Sequence, residues 1–413
     1  MRILYVSRLF SGLAEGLRDR RWDPRGVPTV YRLLEALDKT EHDLRVVFTV
    51  KDDAVDWPSR KTCTFPIEGF GREITVVPMR PPLPTAFGRA RGYLREIGQY
   101  REIRRLCDDI MPDIAYFDRV NIYAASLTAR RKAVPVVWRI MGVPPAMHDM
   151  LDLAGPVARI TRWAYRAPFS MALCSRDGSG GEQWMERALA PDTPRRMMLN
   201  GVDPIENPSL DDHIRDAVSG PETKILFVAR LVEDKGCLEF VEAVSGALDR
   251  APGRFRAIVA GDGPFATQMR ARADDAGHGK QFHFLGQVAH NQMLGLQQAC
   301  DVYVSLNRMC NLTNANLEAM RAGVCMIIPT SPGTRGIDVD TDELMPEDTI
   351  FRIASPDDVA GLREALVHLE SNAQDRTRRA RAIALRAEQL IPTWDARITS
   401  EIELLEQLTE AGN

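Results

Sequence analysis

Two cations and one carboxylate in this chain stand just beyond short apolar runs. Arg230 and Lys235 follow Ile225 to Ala229, and Glu318 comes after Val302 to Ser305. Arginine and lysine neutralise phosphate oxygens, while a carboxylate accepts the protons of two neighbouring hydroxyls. The set suits a ligand carrying both a phosphate and a vicinal diol, and a sugar nucleotide has both. A third run, Ala257 to Ala260, leads into Gly261-Asp-Gly-Pro264. Between the runs lie stretches of helical periodicity, the pattern of a parallel sheet with crossover helices. Ligands of such sheets sit outside the carboxyl ends of the strands, so the three side chains are expected to face one crevice.

At 413 residues the chain exceeds what one hydrophobic core usually organises, and two domains are expected. Arg2 to Ser7, Leu44 to Val50, Ile74 to Val77, Ile114 to Phe117, Val134 to Trp138 and Met171 to Cys174 read as strands of a first α/β domain, residues 1-205. Gly12, Gly16 and the polar Arg18 to Arg25 read as a long loop before a helix that opens at Pro28, where a missing amide is not needed, and runs to Leu37. Pro208 and Gly220 mark a linker over 206-222. The strand-helix rhythm restarts for a second domain at 223-392, and 393-413 reads as a closing helix with Ile398, Ile402 and Leu405 on one face.

The bulk properties exclude several classes. A net charge of −4 is wrong for a general nucleic-acid binder, which needs a surplus of lysine and arginine. Seven scattered cysteines without a Cys-x-x-Cys pair disfavour both a disulfide framework and a zinc cluster, and imply a reducing, cytoplasmic setting. No run of 18 apolar residues spans a membrane, and no signal-peptide core is visible. The arginine-rich stretch 86–107 reads as a solvated surface helix; weak peripheral contact with an acidic membrane is the second reading, because its arginines do not hold one face. Ser175 to Gly181 satisfies neither a phosphate loop nor a nucleophile elbow, and reads as a turn capped by Ser179. Asp338-Val-Asp-Thr-Asp342 lacks the glycine and glutamate of a calcium loop and reads as an acidic surface loop.

Six short pieces, in order, resemble the large family of retaining GT-B glycosyltransferases that includes sucrose synthases and bacterial lipid mannosyltransferases. Asn200-Gly-Val-Asp203 resembles its N-G-V-D, Ala229-Arg-Leu-Val-Glu-Asp-Lys-Gly236 its G-R-L-x-x-x-K-G, and Ala260-Gly-Asp-Gly-Pro264 its G-x-G-P. Phe284-Leu-Gly286, Leu317-Glu-Ala-Met-Arg-Ala-Gly323 and Pro392-Thr-Trp394 are similar to its F-L-G, its L-E-A-M-x-x-G and the tryptophan before its last helix. The resemblance covers the second domain; the first matches in outline. It implies two facing Rossmann-like domains, the acceptor on the first, the nucleotide sugar on the second, and the last helix returning to the first. It implies that Arg230 and Lys235 bind the donor diphosphate, that Glu318 holds the ribose hydroxyls, and that Gly26 lets backbone approach the donor phosphates.

Two departures stand out. The family places a second glutamate eight positions before the one matching Glu318, where this chain has Cys310. A thiol does not replace a carboxylate as acceptor for sugar hydroxyls, so either Asn311, Thr313, Asn314 or backbone amides hold the sugar, or the sugar is a different one. The family's first-domain histidine falls at Met141, with Arg139 and His148 as neighbouring candidates, and His148 is read as a loop residue without a role. The expected activity is metal-independent, retaining transfer of a sugar from a nucleotide diphosphate sugar, with no cofactor. The acceptor class would be a glycan, a lipid-linked or a small molecule, in polysaccharide, glycolipid or natural-product synthesis. The alternatives are a catalytically altered subunit that binds a nucleotide sugar, and a GT-B sugar-nucleotide epimerase.

Overall fold

The computed structural model describes residues 1–50, 57, 61–79, 90–204, 209–330 and 339–410. It divides into two compact units: Met1–Ser175 with Gly181–Met198 and Trp394–Asn413, and Leu199–Thr393 with Arg176–Gly180.

The first unit is built on eight strands: β1 (Arg2–Arg8), β2 (Asp43–Val50), β3 (Cys63–Ile67), β4 (Phe70–Pro78), β5 (Ile114–Asp118), β6 (Val136–Ile140), β7 (Met171–Ser175) and β8 (Arg195–Met198). Their order is β3-β4-β2-β1-β5-β6-β7-β8, all parallel except the β3–β4 pair. Along β1, Leu4 and Val6 enter one core while Ile3 and Tyr5 enter the other, so both sheet faces are buried and the strand reads as an unbroken apolar run.

The stretch expected as a long loop after β1 instead holds helix α1 (Ser11–Arg18), which buries Leu13, Ala14 and Leu17. Its glycines serve close crossing of the returning chain. A Cβ on Gly12 would lie 1.9 Å from the Arg25 carbonyl, and one on Gly16 2.7 Å from that of Arg21. Helix α2 (Pro28–Asp38) follows, with Pro28 in its first turn. Then come α3 (Ala90–Ile110), α4 (Ile122–Arg131), α5 (Pro145–Asp152), α6 (Pro156–Tyr165) and α7 (Gly181–Ala188). In α3, Arg104 and Arg105 pair with Asp108 and Asp109 one turn on, as on a solvated face; Arg89 lies outside the described residues. Ahead of α7, the hydroxyl and amide of Ser179 both donate to Asp177 Oδ1.

The chain leaves the first unit at Met198, and the segment expected as a linker contributes helix α8 (Asp212–Ala217) to the second, with Ile214 buried there. The second unit carries β9 (Thr223–Val228), β10 (Phe255–Ala260), β11 (Phe282–Gly286), β12 (Val302–Val304), β13 (Cys325–Pro329) and β14 (Phe351–Ile353), ordered β11-β10-β9-β12-β13-β14 and parallel throughout. Helices α9 (Cys237–Arg250), α10 (Ala266–Asp275), α11 (His290–Gln298), α12 (Asn314–Ala322), α13 (Val339–Leu344), α14 (Val359–Ser371) and α15 (Ala373–Leu390) complete it. Asp340 is not part of a surface loop. It lies in α13, is 5% exposed and pairs with Arg176 at 2.6 Å, while Asp342 pairs with Arg352; Asp338 lies outside the described residues.

The last helix, α16 (Trp394–Glu410), belongs to the first unit, where Trp394, Ile398 and Leu405 join the core. Buried charge ties it there. Arg397 and Tyr116 both donate to Glu401, whose carboxylate also lies 3.7 Å from Arg139. Burial works against the Glu401 charge, but Arg397 and Arg139 outweigh it and hold the carboxyl below its usual range.

Candidate active site

In the second sheet β9 and β12 are neighbours, yet their crossovers lead away to opposite sides, toward β10 and toward β13. Loops leaving the carboxyl ends of two such strands diverge and open a crevice, the usual ligand position in open α/β sheets. A cavity of about 220 Å³ sits there. It is lined by Val228, Ala229, Arg230 and Lys235 from beyond β9, Ser305 to Asn307 from beyond β12, and Thr313 to Ala315 at the start of α12.

Backbone stitching fixes the cationic side. Leu231 N donates to Asp262 O at 2.9 Å and Phe265 N to Leu231 O at 3.0 Å, so the loops after β9 and β10 run together. That approach requires Gly261, with φ +132°: a Cβ there would lie 1.8 Å from the Ala229 carbonyl oxygen. Gly236, with φ +68°, packs against Leu306 and so sets Lys235 beside the loop after β12. Arg230 is exposed, whereas the Lys235 side chain is 19% exposed with Asp234 at 3.7 Å.

The other side is set by α12. Thr313 caps it by accepting from Asn316 N, and Gly323, with φ +69°, ends it. The face carrying Asn316, Leu317, Ala319 and Met320 is buried. Asn314 and Glu318, four residues apart, share the opposite face, so the carboxylate sits one turn below a residue that lines the cavity. Glu318 is 19% exposed, and burial pushes its carboxyl up to about 7. His290 Nδ1, at the start of α11, lies 3.7 Å from Glu318 Oε1.

The expected residues therefore separate. Arg230, Lys235, Thr313 and Asn314 line one cavity, with Glu318 next to it. Asn311 is turned inward and fully buried, donating to Pro329 O at 3.2 Å, while its own carbonyl accepts from Asn316. It does not line the cavity. Cys310 is half-buried and meets Asn307 Nδ2 at 3.8 Å. Gly26 lies in the first unit with φ +94° and open space where a Cβ would be.

Also in the first unit, Arg139 is 2% exposed, held by Ser175 at 3.0 Å and by Glu401. Met141 Sδ accepts from Thr29 at 3.6 Å, and His148 sits on α5 rather than in a loop. Sequence reasoning missed Ser305, Asn307, Asn200 and His290. Ser305 and Asn307 were within reach, because they leave the carboxyl end of β12, and Asn200, quoted in a motif, donates to Asn314 Oδ1 at 2.7 Å.

Residues 211–383 match the family model of glycosyl transferases group 1. Over that stretch the second unit is similar to the group 1 glycosyltransferases. The matched stretch contains every second-unit residue of the crevice. Among solved structures, the chain is similar to sucrose-phosphate synthase from Thermosynechococcus elongatus, with 15% identity, TM-score 0.69 and 100% of both chains covered. It is also similar to HepE of Anabaena in complex with UDP and glucose, at 16% identity and TM-score 0.66, covering 98% of this chain and all of that one. A third is the E. coli protein titled trehalose-6-phosphate, bound with UDP-2-fluoro glucose, at 11% identity and TM-score 0.64, covering 99% of each chain. No curated protein sequence matches the chain. The fold of this glycosyltransferase is GT-B, two Rossmann-like units with the last helix in the first.

Proposed function

We propose that this glycosyltransferase moves a sugar from a nucleotide diphosphate sugar to an acceptor, without a metal ion and with retention of anomeric configuration. The observation that carries the reading is the cavity at the β9–β12 divergence, where Arg230 and Lys235 stand across from Thr313 and Asn314 with Glu318 one helical turn away. In this reading Arg230 and Lys235 hold the diphosphate and offset the charge that grows as the glycosidic bond breaks. The Glu318 carboxylate accepts the ribose hydroxyl protons. Asn314, Thr313 and the backbone beyond β12 hold the donor sugar, and the departing phosphate takes the acceptor's proton. Gly26 offers backbone amide without a side chain.

The titles of HepE and of the E. coli structure name UDP, glucose and UDP-2-fluoro glucose, which makes uridine diphosphate sugars the first donors to test. All seven cysteines are thiols, in keeping with work in the cytoplasm. The test is thermal unfolding with a panel of nucleotide sugars, followed by turnover of any binder in EDTA. A ligand that binds only the folded state raises its stability with the logarithm of concentration over Kd. A panel in which no nucleotide sugar raises Tm, or turnover that requires an added divalent ion, would overturn the reading.

A further inference from the structure

We propose that helix α6 and the turn before it form a docking surface for an anionic lipid bilayer. The buried face of α6 consists of Ala158, Thr161, Ala164 and Tyr165. The opposite face exposes Arg159, Ile160, Trp163 and Arg166. Ile160 and Trp163 are 45% and 46% exposed, and Leu153 in the preceding turn is 52% exposed. Single exposed apolar side chains are ordinary on a protein surface. Here three of the eight large ones among the described residues fall within one short stretch of chain, which is not ordinary scatter.

The patch is built rather than loose. Arg162 donates to the carbonyls of Met150, Leu151 and Leu153, fixing the turn against the helix. The Arg130 guanidinium lies 3.9 Å from the centre of the Trp163 ring and donates to the Trp163 carbonyl at 2.6 Å. The indole thus has one face on a cation while nearly half of the side chain stays exposed. Arg159 and Arg166 are exposed and carry no ion pair among the described residues, whereas the acid nearest the turn, Asp152, is already paired with Arg187.

Apolar tips ringed by unpaired arginines match the boundary of an acidic bilayer: Ile160, Leu153 and Trp163 enter the headgroup layer while the guanidiniums meet lipid phosphates. The core of a protein–protein interface is depleted in charge, and this face alternates charge with apolar groups along a single helix. Among the described residues no helix is long and apolar enough to cross a membrane, so the attachment is peripheral and, from so short a helix, reversible.

The full-length protein is incubated with vesicles of phosphatidylcholine alone and of phosphatidylcholine with phosphatidylglycerol, then sedimented at low and high salt. Binding is expected only with phosphatidylglycerol, lost at high salt, and weakened roughly fivefold for each arginine removed. Arg159→Glu with Arg166→Glu should abolish it. Ile160→Ser should weaken it with every charge retained and the Arg130–Trp163 contact intact. Brominated lipid should quench tryptophan fluorescence in the wild type and much less in Trp163→Phe. Thermal unfolding unchanged in each variant excludes misfolding as the cause. Absence of vesicle binding, binding indifferent to lipid charge, or equal binding by wild type and variants would each overturn the proposal.

Discussion

His290 Nδ1 and Glu318 Oε1 face each other across 3.7 Å, at the start of α11 and in the middle of α12. Burial lifts the Glu318 carboxyl from its ordinary 4.5 to about 7, so its charge is set within the working pH range. Because the folded value lies above the unfolded one, its contribution to stability is complete below about 4.5 and is lost as pH rises through about 7. Ligand binding has the opposite slope, since only the ionised carboxylate accepts from both ribose hydroxyls in charge-assisted bonds. Nucleoside diphosphate affinity is therefore expected to rise about tenfold between pH 6 and 8, following the ionised fraction of a group titrating near 7. Glu318→Gln should weaken binding and flatten the profile, and a 2′-deoxy analogue should flatten it too. A profile that persists in Glu318→Gln and vanishes in His290→Asn would assign the titration to the imidazole instead.

Arg230→Ala and Lys235→Ala are expected to discriminate between nucleoside and nucleoside diphosphate. Each removes a charge-assisted hydrogen bond, costing about 1.5–3 kcal/mol, or roughly ten- to a hundredfold in Kd for the diphosphate. The nucleoside alone should bind nearly as before. Calorimetric titration of both ligands checks this, and equal weakening of the two would show that these side chains act on the fold.

Gly261→Ala and Gly26→Ala should differ in kind. The added methyl at 261 meets the Ala229 carbonyl at 1.8 Å, so the loops after β9 and β10 must part, and Arg230 moves with them. A loss above about 2 kcal/mol of stability is expected, together with weaker diphosphate binding. At Gly26 the methyl meets open space, and only the φ of +94° is strained, about 1 kcal/mol. Thermal unfolding of the two variants side by side measures the contrast.

The sheets were legible because strands buried on both faces are written as apolar runs, as β1 and β9 show. The site was legible only as far as sequence position predicts side-chain direction. Arg230 and Lys235 follow a strand end directly, and Glu318 shares a helix face with Asn314, so spacing sufficed. Asn311 sits between strand and helix, where nothing in the spacing says that its amide turns inward to Pro329. Glycines 12 and 16 looked like loop residues because the carbonyls of Arg25 and Arg21, which they let pass, are contacts that only the fold creates. Asp340 and Arg139 were hidden for the same reason: each is partnered far along the chain, by Arg176 and by Glu401.

Cys310→Glu tests how the donor sugar is held. Cys310 meets the side-chain amide of Asn307, a residue that is 3% exposed and lines the cavity, and Asn307 Oδ1 accepts from Met309 N at 3.1 Å. A carboxylate at 310 would draw the Asn307 amide into a stronger, charge-assisted bond and bring a negative charge to a half-buried position. If the cavity is shaped for a sugar held by amides and hydroxyls, kcat/KM on the best donor from the panel should fall by tenfold or more, about 1.4 kcal/mol of transition-state stabilisation. The binding of nucleoside diphosphate, which does not reach the sugar subsite, should change little. The measurement compares kcat/KM for that donor and for UDP-glucose in both forms, with diphosphate affinity as the control. A rise in turnover on the best donor would mean that a carboxylate belongs at this position and that the cysteine weakens an ordinary sugar site.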